Sequence, residues 1–127
     1  MITKGFKTML AEASAEIPSI SVAEALEALS NGDSVFVDVR ESVEHATGTI
    51  AGAVRAPRGL LEFIADPEGP SHRPELLSGK RLIVYCGSGA RSLLAAKTLK
   101  EMGIGGAVNL TGGIAAWKQA GGPVEGG

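Results

Sequence analysis

Cysteine is almost absent from this chain of 127 residues, which contains only one, Cys86. A single cysteine cannot form a disulfide within the chain, and it cannot supply the several thiolates of a structural zinc site. Cys86 is therefore either a small buried side chain or a reactive thiol. Its surroundings in the sequence decide between the two.

Aromatic residues are also scarce, at 4%, whereas hydrophobic residues as a group reach 44% and charged residues 20%. This balance is typical of a globular protein with an aliphatic core, and the length suits one domain. We predict that residues 17–127 form that domain and that residues 1–16 form a weakly helical extension before it.

The chain has no excess of positive charge and no long apolar run. Its net charge is -2, which argues against nucleic acid as a partner. The longest uncharged stretch, residues 102–117, contains five glycines and is too short to span a bilayer. No signal peptide is recognisable at the N-terminus. We expect a cytoplasmic protein with neither nucleic acid nor a membrane as partner.

Predicted strands and helices alternate along the chain, which is the pattern of an α/β fold with a mostly parallel sheet. Apolar, β-branched runs predict strands at residues 18–20, 35–39, 50–56, 81–85 and 107–110. Helical periodicity predicts helices at residues 22–29, 92–102 and 114–119, a short helix from residue 58, and a polar helical turn at residues 41–46. Residues 66–80 are rich in Pro, Gly and Ser and predict a surface loop.

Cys86 stands where the strongest predicted strand ends and a helix begins. Backbone N–H groups at a helix start have no intrahelical partner and favour a nearby anion. Gly87 and Gly89 allow the chain to curl around the sulfur, and Arg91 adds a positive charge with several donors. We call residues 86–91 the cysteine loop. Its composition predicts a thiol with a lowered pKa, which favours the reactive interpretation.

The segment CGSGARS, which includes the cysteine loop, resembles the active-site loop of rhodanese-type sulfurtransferases. The resemblance extends over most of residues 17–125, and its specificity comes from the order and spacing of several motifs. They are Asp38-Val39-Arg40 with Glu44, the segment at residues 48–53, the strand into Cys86, and the segment at residues 109–113 followed by Trp117.

This resemblance implies a three-layer rhodanese-like fold, with a mostly parallel five-stranded sheet and helices on both faces. It further implies that the Cys86 thiolate takes a sulfane sulfur from a small anionic donor such as thiosulfate. The resulting persulfide would pass that sulfur to cyanide, to another thiophilic acceptor or to thiol proteins. The catalytic residues would be Cys86 and Arg91. The persulfide-binding backbone would come from Gly87, Ser88, Gly89, Ala90 and Arg91, with no metal and no organic cofactor.

Two other functions fit the same fold. A cysteine-dependent phosphatase or arsenate reductase would use a loop with five residues between cysteine and arginine, whereas four separate Cys86 from Arg91. A binding or regulatory module without turnover would commonly lack the cysteine. The donor is also open, because 3-mercaptopyruvate or a protein persulfide could replace thiosulfate.

Three further residues are candidate supports of the site. Asp38 and Arg40 end a predicted strand near the pocket, although a structural role is favoured, with an ion pair between Arg40 and Glu44. Arg58 follows the third predicted strand and could meet an anionic donor or simply lie exposed. The family usually has a histidine where this chain has Thr49, a departure in a mainly structural position.

Overall fold

The structure, a computed structural model, describes residues 1–126. Its seven strands are β1 (Ser19–Ile20), β2 (Ser34–Asp38), β3 (Thr49–Ile50), β4 (Val54–Arg55), β5 (Arg81–Tyr85), β6 (Ala107–Leu110) and β7 (Val124–Glu125). Its α-helices are α1 (Phe6–Glu16), α2 (Val22–Asn31), α3 (Leu61–Ala65), α4 (Ala90–Glu101) and α5 (Gly113–Gln119). Short 3₁₀ helices cover Ser42–Thr47, Arg58–Leu60 and Pro74–Leu77.

Five of the strands form one sheet in the order β1-β6-β5-β2-β4, and every neighbouring pair is parallel. This confirms the predicted five-stranded α/β fold. β5 is the central strand, so its carboxyl end lies in the middle of the sheet edge where ligands bind in such folds.

Side chains alternate between the two faces of β5 and build a core on each. Leu82 and Val84 pack in a cluster with residues of α3 and α4, whereas Ile83 and Tyr85 pack in a second cluster with residues of α2 and α5. Both faces of the sheet are therefore covered by helices, which explains why the strand is apolar at every position after Arg81.

Local residues define both ends of α2. Ser21 and Glu24 form a reciprocal capping box at its start, which satisfies two backbone donors. Gly32 ends the helix in the left-handed conformation, with φ 69°.

The predicted third strand at residues 50–56 is wrong. A turn around Gly52, with φ +75°, divides this region into β3 and β4. β4 joins the edge of the main sheet, whereas β3 pairs with β7 in a separate two-stranded antiparallel sheet. The loop at residues 66–80 is also more ordered than predicted, because it contains the 3₁₀ helix Pro74–Leu77 with a buried Leu76.

No helix within residues 1–126 combines the length and the apolar character needed to cross a bilayer.

Candidate active site

Cys86 lies directly after β5, at the carboxyl edge of the central strand. Its side chain is buried, and the backbone N–H of Gly89 donates a hydrogen bond to Sγ over 3.0 Å. The hydroxyl of Ser92 lies 3.4 Å from the same sulfur. The sulfur therefore contacts hydrogen-bond donors as well as the apolar core.

The first turn of α5 holds the cysteine loop from the side. The N–H of Ile114 donates to the carbonyl of Cys86 over 3.0 Å, and the N–H of Ala115 donates to the carbonyl of Gly87 over 3.2 Å. Gly113 makes this approach possible, because a Cβ there would lie only 2.6 Å from the Cys86 carbonyl oxygen. α5 thus binds the carbonyl groups at the start of the cysteine loop, and the backbone N–H groups later in the loop remain available to the sulfur.

Two opposing effects act on the pKa of Cys86. Burial raises it, whereas hydrogen bonds from the Ser92 hydroxyl and from the backbone N–H groups of Ser92, Gly89 and Ser88 lower it. The hydrogen bonds prevail, so the pKa of Cys86 lies below the ordinary value of 9.0. The left-handed conformation of Gly89, with φ 114°, starts α4 without a side-chain cap and leaves its N–H free to reach the sulfur.

Arg91 ends the cysteine loop and binds Glu44 in the 3₁₀ helix Ser42–Thr47. Two guanidinium N–H groups donate to the two carboxylate oxygens over 2.8 and 3.0 Å. Chiefly through this hydrogen-bonded pair, the pKa of Glu44 falls to about 2, and the pKa of Arg91 is raised. The charge that the sequence places at the end of the loop is thus balanced within the protein.

Asp38 and Arg40 form a buried ion pair, with Arg40 Nη2 2.8 Å from Asp38 Oδ2. Arg40 also donates to the carbonyl groups of Glu44 and Gly48, over 3.3 and 2.7 Å. The predicted ion pair between Arg40 and Glu44 is wrong, because the Glu44 carboxylate binds Arg91. Asp38 and Arg40 hold in place the segment that carries Glu44, and within residues 1–126 neither donates to the sulfur.

Tyr85, which the sequence analysis missed, ties three strands together next to Cys86. Its hydroxyl donates to Asp38 Oδ2 over 2.8 Å and accepts from the N–H of Ile50 over 3.0 Å. Burial, together with the neighbouring Asp38, raises the pKa of Tyr85, so the phenol stays protonated. The sequence contained a signal for this role, because a tyrosine hydroxyl at the end of a buried strand requires a hydrogen-bond partner.

His45 was missed as well. It is buried in the 3₁₀ helix Ser42–Thr47, with Nε2 3.6 Å from Asp38 Oδ1. Within the described residues this nitrogen has no hydrogen-bond partner. Thr49, where the resemblance expects a histidine, is buried in β3. The buried imidazole beside Asp38 belongs to His45, and position 49 has no ionisable side chain.

Comparison with known proteins agrees with this geometry. The Rhodanese-like domain matches residues 21–120, which include the central strands and the cysteine loop. A sulfurtransferase of Allochromatium vinosum is 35% identical over 109 residues, covering 86% of this chain and 92% of that protein. The chain belongs to the rhodanese-like family.

Two further relatives extend this result. The human thiosulfate:glutathione sulfurtransferase is 31% identical over 107 residues, covering 79% of this chain and 92% of that protein. A solved structure from Rhodopseudomonas palustris CGA009, described as a protein of unknown function and possible tyrosine phosphatase, is 41% identical with a TM-score of 0.92. It covers 98% of this chain and is itself covered to 97%. The sulfurtransferases among the relatives of this rhodanese-like chain support sulfur transfer as its general activity.

Arg58 and Trp117 of this rhodanese-like domain have partners other than the sulfur. Arg58 donates to the Glu62 carboxylate over 3.2 Å and to the Thr98 hydroxyl over 3.0 Å, so its contact with a donor stays a prediction. Trp117 is fully buried and packs edge-on against Phe36, with ring centroids 5.5 Å apart. Trp117 is therefore part of the core.

Proposed function

We propose that this chain is a sulfurtransferase of the thiosulfate sulfurtransferase type that carries a sulfane sulfur as a persulfide on Cys86. The observation that carries the proposal is the environment of Sγ at the start of α4. Gly89 donates to it over 3.0 Å, and hydrogen bonds lower the pKa of Cys86 despite burial. Because the thiolate is the nucleophilic form of cysteine, a lowered pKa increases the reactive fraction at neutral pH.

In the first proposed step the Cys86 thiolate attacks the outer sulfur of thiosulfate. A bond forms between Sγ and that sulfur, the S–S bond of the donor breaks, and sulfite leaves with the bonding electron pair. The terminal sulfur of the new persulfide carries a negative charge. We assign its stabilisation to the N–H groups of residues 87–91, since preorganised donors act most strongly where charge develops in a site shielded from water.

In the second proposed step an acceptor removes that sulfur. Cyanide attacks the terminal sulfur, the persulfide S–S bond breaks, thiocyanate forms and the Cys86 thiolate returns. A thiolate acceptor would instead leave as a new persulfide. Both steps balance in charge and need no external oxidant or reductant. The relative named thiosulfate:glutathione sulfurtransferase supports thiosulfate as donor and a small thiol as acceptor.

Arg91 has a supporting role in this proposal. Its pairing with Glu44 fixes the end of the cysteine loop against the segment that follows β2. A bidentate pair restricts the guanidinium more than a single contact would. We therefore assign Arg91 chiefly to holding the loop in shape, with its remaining donors directed to an anionic substrate.

The length of the cysteine loop favours sulfur over phosphate. Four residues separate Cys86 from Arg91, and the phosphatase loops on this fold have five, which gives room for a tetrahedral phosphate. One similar structure is described as a possible tyrosine phosphatase. The test of function therefore includes a phosphate ester.

The test is to incubate the protein with thiosulfate and to measure its intact mass. We expect a gain of one sulfur atom, which cyanide then removes as thiocyanate. Cys86→Ser, which keeps the size of the side chain, should gain nothing. If wild type gains no sulfur, or the variant gains as much, the proposal is wrong. Hydrolysis of p-nitrophenyl phosphate without sulfur uptake would identify a phosphatase. The absence of both activities would favour a binding module.

A further inference from the structure

The hydroxyl of Ser92, in the first turn of α4, has one proton and lies near two hydrogen-bond acceptors. Its hydroxyl oxygen lies 2.6 Å from Asn109 Oδ1 and 3.4 Å from Cys86 Sγ, and the side chain is fully buried. A hydroxyl donates one hydrogen bond at a time. The shorter contact favours Asn109 as the acceptor while the thiol is protonated, and the hydrogen bond from Ser92 to Sγ belongs to the thiolate.

Asn109 connects this hydroxyl to a second one. The residue lies in β6, nearly completely buried, and its Nδ2 donates to the Ser19 hydroxyl over 3.3 Å. Ser19 is its direct neighbour in the parallel pairing of β1 with β6, and it is exposed to solvent. The side-chain amide thus has a hydroxyl group at each end.

A hydroxyl can both donate and accept, so this amide has two satisfied orientations. In the first, Ser92 donates to Oδ1 and Nδ2 donates to Ser19. After rotation by half a turn, Nδ2 donates to Ser92, Ser19 donates to Oδ1, and the Ser92 proton becomes available to the sulfur. A charged acceptor forms the stronger hydrogen bond, so a negative sulfur favours the second orientation.

We infer that Asn109 is a positioning residue for Cys86, whose side-chain amide, by its orientation, directs the Ser92 hydroxyl either to Asn109 or to the sulfur. The inference rests on the proposed function of Cys86 as a nucleophile. When the thiol loses its proton to water, the amide turns and Ser92 donates to the thiolate. The same arrangement serves a negatively charged persulfide.

The test compares rates of Cys86 alkylation by iodoacetamide as a function of pH, without any sulfur donor. Ser92→Ala removes the donor and should slow alkylation at pH 7 about tenfold, as expected from one hydrogen bond to a charged group. Asn109→Asp has the same shape, but its carboxylate accepts only and should retain the Ser92 proton permanently. In that background, Ser92→Ala should change the rate less than twofold.

The double-mutant comparison separates positioning from simple charge or structural effects. The new carboxylate repels a thiolate whether or not Ser92 is present, so a purely electrostatic effect of Asn109→Asp would be independent of Ser92. If Ser92→Ala slows alkylation by the same factor in both backgrounds, the inference is wrong. Asn109→Ala is the matched control. It frees the Ser92 hydroxyl, so Ser92→Ala should keep its roughly tenfold effect there.

A measurement on wild type covers the case in which the buried Asp variant does not fold. The ¹⁵N resonance of the Asn109 side chain should titrate with the midpoint found for Cys86 alkylation, and Ser92→Ala should abolish this titration. An Asn109 resonance that does not respond to ionisation of Cys86 would contradict the inference. Failure of the proposed function would be distinct, because it would be seen as absence of sulfur uptake from thiosulfate.

Discussion

At the scale of single residues, the properties of Cys86 result from its position between core and helix start. Burial alone would raise the pKa of Cys86, and a cysteine in an apolar core is unreactive for this reason. Donors from Ser92, Gly89 and Ser88 reverse the effect. The same burial that opposes ionisation also shields these hydrogen bonds from water, which makes each of them stronger.

The pair between Glu44 and Arg91 leads to a prediction about pH. The pKa of Glu44 is about 2 in the folded protein and 4.5 ordinarily, so its contribution to stability is complete above pH 4.5 and is lost as the pH falls towards 2. Both side chains are partly exposed, so we expect Glu44→Gln to lower the free energy of unfolding at pH 7 by less than about 1 kcal/mol.

Urea unfolding of wild type and Glu44→Gln between pH 7 and pH 2 checks this prediction. The difference in stability should remain constant down to pH 4.5 and decrease below it. In an Arg91→Gln background, where the partner is absent, Glu44→Gln should have little effect at any pH in this range. A difference that does not change down to pH 2 would show that the pair does not act in solution.

At the scale of secondary-structure elements, α5 determines the shape of the cysteine loop. Its first N–H groups bind the carbonyl groups of Cys86 and Gly87, and Gly113 allows the two backbones to meet. On the other side of the site, the Tyr85 hydroxyl and Asp38 connect β5 with β2 and β3. The sulfur is therefore positioned by contacts between elements rather than by the loop alone.

Substitution of Gly113 tests the contribution of α5. In Gly113→Ala the new Cβ would meet the Gly87 carbonyl oxygen at 2.5 Å, so the cysteine loop must move. We expect the rate of Cys86 alkylation at pH 7 to fall about 10- to 100-fold, since displacements of about 1 Å have effects of this size.

Gly32→Ala is the matched control for backbone strain. Gly32 and Gly113 have similar φ angles, 69° and 60°, but a Cβ at Gly32 would meet nothing within 4 Å. Gly32→Ala should lose about 1 to 2 kcal/mol of stability from backbone strain alone, and Gly113→Ala should lose more, because its Cβ also meets backbone atoms of the cysteine loop. Only Gly113→Ala should slow alkylation. Equal alkylation rates in the two variants would mean that α5 does not shape the loop.

At the scale of the whole molecule, α1 lies against α4, the helix that begins at the cysteine loop. Ala13 is completely buried, and Glu16 lies within 3.8 Å of Lys97 and 3.4 Å of Lys100. The family match begins later, at residue 21. We therefore expect α1 to stabilise a domain that forms without it.

Deletion of residues 1–16 tests this division of the chain. The shortened protein should fold and take up sulfur from thiosulfate, with a free energy of unfolding lower by about 2 kcal/mol, comparable to exposing one large apolar side chain. Urea unfolding and intact mass measure the two effects. Phe6→Ser in the full chain, on an exposed side chain, should change neither. Loss of folding on deletion would make α1 an integral part of the domain.

Local patterns were sufficient to predict the long elements of the sheet. β5 has the predicted bounds, because a short, continuous apolar run favours a strand that is covered on both faces. The two-residue strands β3 and β7 could not be predicted, because they are defined by pairing with each other across more than 70 residues of sequence rather than by their own composition.

The sequence by itself determined the position of Cys86 at a strand end, the glycines beside it and the helix that follows, because these depend on neighbouring residues. The tertiary structure decided the partners of the surrounding groups. Tyr85 binds Asp38, and Arg91, rather than Arg40, binds the Glu44 carboxylate. The partners in each pair are 47 positions apart in the sequence. Such pairs depend on how β2 and β5 lie side by side, which no local pattern records. The tertiary fold therefore arranges the charges and donors around a thiol whose place the sequence already indicates.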